Sequence, residues 1–237
     1  MAILNWFGRD EVIGSRVLVC ALDPRFDDLL KADSQIYSKF YTFTDLKICS
    51  NIQQLNHLMN QSFDLIHLFA EVSSEGLVIS SNGECITGTQ LIAACCGANV
   101  KVLWLANDNS PEGYVKGFNV RKKRINLVMT IHRNGSKFPD FLEKLLSRMA
   151  YGDTMPVAWA DLAPQVRRGL AHKDLPDCIF YAGRGGRETA LIADFLVLAQ
   201  RQDMVIARLR ITRCANRASI HCTSLALQSF RCRGRPS

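Results

Sequence analysis

Short apolar runs closed off by turn residues constrain this chain more than any other feature. Residues 16–22 read RVLVCAL and sit between Gly14-Ser15 and Asp23-Pro24. The pattern returns at 63–70 (FDLIHLFA), 100–106 (VKVLWLA) and 125–131 (INLVMTI), with a shorter version, DCIFYA, at 177–182. Each run is too short for an ordinary helix and has no polar face, which is how a strand covered on both sides reads. Helical patterns fall between them. Ile52, Leu55, Leu58 and Met59 share a face over 51–61, with Ser50 as the expected N-cap. TQLIAACC can be capped by Thr87 or Thr89 and stops at Gly97. Phe138, Phe141, Leu142, Leu145, Leu146 and Met149 line another helix that stops at Gly152. Asn82-Gly83, between LVI (77–79) and Cys85-Ile86, predicts a small hairpin. Strands alternating with helices predict an α/β sandwich around a mainly parallel sheet. Sites on such sheets lie beyond the carboxyl ends of the strands, here just after Ala70 and just after Ala106.

The net charge of +7 is unevenly spread. Residues 1–186 hold 20 Lys and Arg against 19 acids, a net of +1, and residues 187–237 hold nine Arg, no Lys and three acids, a net of +6. The body is nearly neutral, so its charge does not predict nucleic-acid binding. Arg121-Lys122-Lys123-Arg124 reads as a solvated loop. Gly183-Arg184-Gly185-Gly186 reads as a turn, since it lacks the Lys-Ser/Thr that follows a phosphate loop. No apolar run reaches the roughly 18 residues of a membrane-spanning helix, and no membrane association is expected. Residues 1–10 show no apolar stretch behind a basic cluster, so no secretory leader is expected and the cytoplasm is the expected compartment. The nine cysteines include no CxxC pair and no zinc-ligand spacing; they read as small apolar core residues, and no metal or cofactor is expected.

Past Gly186 the character changes. ETALIADFLVLAQRQ begins a segment that turns Arg- and Cys-spotted, with no capped periodic element after about Ile211. The expected organisation is one domain over 1–186 and a poorly structured basic extension over 187–237. That extension reads either as a genuine tail or as sequence from a shifted frame or a fusion.

DLIHLFAEV (64–72), GLVISSNGECITGTQLI (76–92), VKVLWLANDN (100–109), INLVMTI, FPDFLEKLLSRMAYGDTMPVAWA (138–160) and CIFYAGRGG (178–186) form an ordered series. In that order and spacing, residues 16–186 resemble the CHAT domain, the peptidase module related to caspases and separases. The resemblance implies a caspase-like three-layer sandwich. It also implies a site where a His base and a Cys nucleophile sit at the carboxyl ends of neighbouring strands, the thiolate being favoured by the imidazole. Both positions differ here. His67 falls on the family's first, structural His; the catalytic His position falls on Glu71, with Val72 in place of Gly; the catalytic Cys position falls on Asn107. An amide nitrogen is no nucleophile for peptide hydrolysis, and a slip of alignment offers only Asp108 or Asn109. The resemblance therefore implies a pseudo-peptidase with no catalytic residue, acting as an interaction or regulatory module for a protein or peptide partner, in a bacterial cytosol. Its candidate binding residues are Glu71, Asn107, Asp108 and Trp159, the last from a segment that flanks the family's substrate cleft.

Other readings stay open. Glu71, Asn107 and Asp108 can equally be solvated loop or capping residues, and Trp159 can be core. An active cysteine peptidase would need an unrecognised thiol, such as Cys95 or Cys96; Cys95 with His132 is the pairing the sequence offers, without a supporting spacing. A small-molecule or nucleotide-sensing α/β module is the third reading. His67, mid-strand between Ile66 and Leu68, is expected to be buried on a backbone partner. The oligomeric state is left open.

Overall fold

A computed structural model describes residues 16–119, 124–133, 137–166 and 176–182. All of them belong to the first of two compact units, Met1–Ala207; the second, Arg208–Ser237, lies outside the described residues. So do the expected boundary at 186–187, the extension after it, the glycine turn at 183–186 and most of the basic run at 121–124.

The apolar runs form strands, as their lack of a polar face requires. They are β1 (Arg16–Ala21), β3 (Leu65–Phe69), β7 (Val102–Leu105), β8 (Asn126–His132) and β9 (Asp177–Ala182). With the edge strand β2 (Phe43–Ile48) they make one sheet in the order β2-β1-β3-β7-β8-β9. Every neighbouring pair is parallel except β8–β9. A second, antiparallel sheet is formed by β4 (Glu71–Val72), β5 (Leu77–Ile79) and β6 (Cys85–Thr87), with Gly83 at φ +83° in the hairpin turn.

Alternate strand residues feed two cores, one on each face of the sheet. Val17, Val19, Leu65, Phe69, Val102, Trp104 and Val128 pack with α1 (Asp27–Tyr37), α5 (Phe138–Ala150) and α6 (Met155–Val166). Leu18, Cys20, Ile66, Leu68, Leu103, Leu105 and Leu127 pack with α2 (Ile52–Met59), α3 (Gly88–Gly97) and α4 (Pro111–Gly117). The fold is thus an α/β three-layer sandwich with a mainly parallel sheet, as expected.

Local signals held in most places. Thr87 caps α3 in a capping box with Gln90, and Gly152 at φ +100° ends α5. The cap of α2 is a correction. Asn51, not Ser50, is the N-cap, its side chain accepting from the Gln54 amide, while Ser50 bonds the Gln54 side chain instead. The apolar runs of the sequence mark none of β2, β4, α1, α4 and α6. β2 carries no apolar run because it is an edge, with one flank in solvent.

Two backbones meet closely behind the sheet's carboxyl edge. A Cβ on Gly117 of α4 would lie 2.2 Å from the Gly76 carbonyl oxygen, and one on Gly76 (φ +81°) would lie 2.1 Å from the Gly117 Cα. Only glycine fits at either position. That contact seats α4 against the turn after β4 and fixes where its Tyr114 points.

Candidate functional site at the carboxyl edge of the sheet

β3 and β7 are hydrogen-bonded neighbours, with Leu65 to Leu68 in register with Val102 to Leu105. Their carboxyl ends therefore emerge side by side, and the Ala106 amide still donates to Leu68 O (2.9 Å) as they leave the sheet. Asn109 ties the two exits together. Its Oδ1 accepts from the Val72 amide (2.8 Å), and its Nδ2 donates to Ala70 O (3.2 Å) and to the Tyr114 hydroxyl (2.9 Å). The Tyr114 hydroxyl in turn donates to Thr130 O on β8 (2.8 Å). One buried amide thus links β3, β7, α4 and β8, positioning the edge while facing away from solvent.

Three of the four candidate binding residues stand on this edge. The exposed Glu71 carboxylate forms an ion pair with Arg25, which follows β1. Asn107 is half-buried and Asp108 is exposed. Asp108 Oδ1 accepts from the Arg133 amide and lies 3.7 Å from His132 Nδ1. The tip of β8 thereby becomes a third wall, which the expectation from β3 and β7 alone did not include. Trp159 is elsewhere. It is buried in the aromatic core, with ring centroids 4.8 Å from Phe141, 5.6 Å from Phe180 and 6.0 Å from Trp104. Of its two readings, this burial fits core packing.

Beneath the edge lies a charged cluster that the sequence did not reveal. Asp33 of α1 is wholly buried and accepts from Arg133 Nη1 and Nη2 (2.9 Å each) and from His67 Nε2 (2.8 Å). Since a carboxylate only accepts, Nε2 carries the His67 proton, and Nδ1 accepts from the Tyr37 hydroxyl (2.9 Å). Arg133 Nη1 also donates to Ala106 O (3.2 Å), and the guanidinium lies between the Phe69 and Phe138 rings at 4.9 Å and 4.2 Å. His67 is buried as expected, but its partners are side chains rather than backbone, which is a second correction. A strand interior already spends its peptide groups on the ladder, so an inward imidazole must find side-chain partners.

Electrostatics follow from this packing. Burial alone would raise the Asp33 carboxyl; the hydrogen bond from His67 and the Arg133 guanidinium outweigh it and hold Asp33 below the usual carboxylate value. Burial lowers His67 below the ordinary imidazole value, against the pull of Asp33, and keeps the ring neutral near pH 7. The cluster is therefore one fixed ion pair plus a neutral, fully hydrogen-bonded histidine. Arg133 Nε is the one atom of the cluster that is buried without a hydrogen-bond partner.

The thiols tell the same story. Cys95 is buried on the α3 face of the sheet, with Sγ 3.5 Å from Met59 Sδ, and burial pushes its pKa well up. Cys20 is raised likewise by burial, and Cys49 is pushed up to about 11. His132 faces Asp108, not Cys95. A thiolate nucleophile needs the opposite environment, partly exposed and electropositive. Cys96 is half-buried and Cys85 exposed, but neither has a histidine partner among the described residues.

Among the described residues no group of three or more His, Cys, Asp or Glu could hold a metal ion. No helix there is long and apolar enough to cross a membrane. No protein-family model matches the chain, and no curated protein matches it.

Proposed function

We propose that residues 16–186 form a CHAT-like, non-catalytic module that holds a peptide or protein partner at the carboxyl edge of its sheet. The observation that carries the reading is the pairing of β3 with β7. Glu71 follows β3, and Asn107 and Asp108 follow β7; none of the three is a thiol or an imidazole, and His132 of β8 stands 3.7 Å from the Asp108 carboxylate. The hairpin of β5 and β6, followed by α3, falls where the resemblance expects a hairpin and then a helix. The site keeps what binding needs: exposed carboxylates and an amide on strand ends held rigid by Asn109.

The test is fluorescence polarisation with a positional-scanning library of fluorescein-labelled tetrapeptides. The reading predicts saturable binding of a peptide subset to the wild-type protein. Binding falls at least tenfold in Asn107→Ala and Glu71→Ala, whose side chains support no core. Equal binding by these variants, or no saturable binding of any pool, contradicts it. Bacterial and cytosolic settings belong to the same proposal and rest on the resemblance alone.

A further inference from the structure

The outer edge of β2 carries a self-complementary pattern. β2 ends the six-stranded sheet, and among the described residues no strand pairs with its outer side. The Cys49 amide donates inward to Ala21 O (2.8 Å). Backbone groups alternate along a strand, so those of residues 43, 45 and 47 also face β1. The amides and carbonyls of Thr44, Leu46 and Ile48 then face outward. Leu46 is 36% and Ile48 42% exposed, both on the face that α1 covers farther in. Asp45 and Lys47, on the opposite face, make no ion pair among the described residues.

We propose that β2 pairs antiparallel with β2 of a second copy of this chain, continuing the sheet through a two-fold axis at Leu46. The register follows from the outward groups. Antiparallel hydrogen-bonded pairs must join outward-facing residues, so only registers that match 44, 46 and 48 among themselves are open. Slipping the pair one way sets Asp45 against the partner's Asp45, and slipping it the other way sets Lys47 against the partner's Lys47. The register with Leu46 opposite the partner's Leu46 instead puts Asp45 opposite the partner's Lys47, twice by symmetry. The same register puts Thr44 opposite the partner's Ile48, makes one apolar stripe of Leu46 and Ile48 from both copies, and gives a partner to every outward backbone group from 44 to 48. A charged edge strand ordinarily repels such pairing; here the order of the two charges makes it attractive.

Sedimentation equilibrium of the full chain tests this. The wild type is expected at twice 26.5 kDa in the micromolar range. Asp45→Lys and Lys47→Asp are each expected at the monomer mass. An equimolar mixture of the two, and the double variant Asp45→Lys/Lys47→Asp, are expected to regain the dimer. Leu46→Pro removes an outward-facing amide and no hydrogen bond to β1, so it should give a monomer with unchanged circular dichroism. A monomeric wild type overturns the proposal. So does a dimer that survives Asp45→Lys or Leu46→Pro, or single variants that stay monomeric when mixed.

Discussion

Asp33 shows how far a single residue can govern this molecule. It is buried between an arginine from the end of β8 and a histidine in the middle of β3, and it neutralises the first while hydrogen-bonding the second. Removing one member of such a set leaves a buried charge unmatched, which typically costs about 3–5 kcal/mol. Asp33→Asn is expected to lose about that much in urea unfolding, and Asp33→Leu with Arg133→Met to lose less than Asp33→Asn alone. The pH dependence has a definite sign. His67 is depressed below its ordinary value of 6.5, so as pH falls through 6.5 the unfolded chain takes up a proton that the folded chain refuses. Stability present above pH 6.5 is lost below it. Asp33 is depressed below 3.8, so a further loss begins as pH falls through that value. His67→Gln should flatten the first decline and leave the second, as read from urea midpoints across pH. Neither partner of His67 was legible in the sequence: Asp33 and Tyr37 lie in a helix that no apolar run marks. Arg133 stands 100 residues from the Asp33 it neutralises, so only the folded sheet unites the cluster.

At the scale of elements, what the sequence disclosed follows solvent exposure. β1, β3, β7 and β8 are covered on both faces and so appear as unbroken apolar runs. β2, with Phe43 59% exposed, has no such run and stayed hidden. The polar tips were legible as positions, because sites of parallel sheets gather past strand ends. Their roles were not. Asn109 was only a neighbour of the candidate Asn107, yet it is the residue that fastens β3 to β7, α4 and, through Tyr114, β8. Its only sequence signal was an amide two residues past Asn107, which does not separate a fastener from a ligand. The seating of α4 on the turn after β4 gives an element-scale prediction. Gly117→Val places carbon where the Gly76 carbonyl stands, and such overpacking costs about 1–3 kcal/mol. Because Tyr114 would shift with α4, the Val72 amide should lose hydrogen-exchange protection, while amides of β1 keep theirs. Unchanged protection at Val72 would show that Asn109 holds the strand ends without help from α4.

Across the whole molecule, the sheet sets two parallel strand ends next to each other and surrounds them with groups already engaged. Glu71 is held by Arg25, Asp108 by the Arg133 amide, and Arg133 itself by Asp33. Thiol-dependent hydrolysis requires a free thiolate beside an imidazole; Glu71, Asn107 and Asp108 at these strand ends offer carboxylates and an amide, and the buried Cys95 favours the neutral thiol. Glu71→His combined with Asn107→Cys is accordingly expected to create iodoacetamide reactivity whose pH profile is shifted below that of an ordinary thiol, with Asn107→Cys alone showing no such shift. The most direct measurement is on the unaltered protein. The native full-length chain is treated at pH 7 with a peptidyl acyloxymethyl ketone, and adducts are mapped by mass spectrometry. The account predicts no stoichiometric adduct on any of the nine cysteines. One cysteine labelled to completion, with labelling abolished by substituting a single histidine, would contradict it.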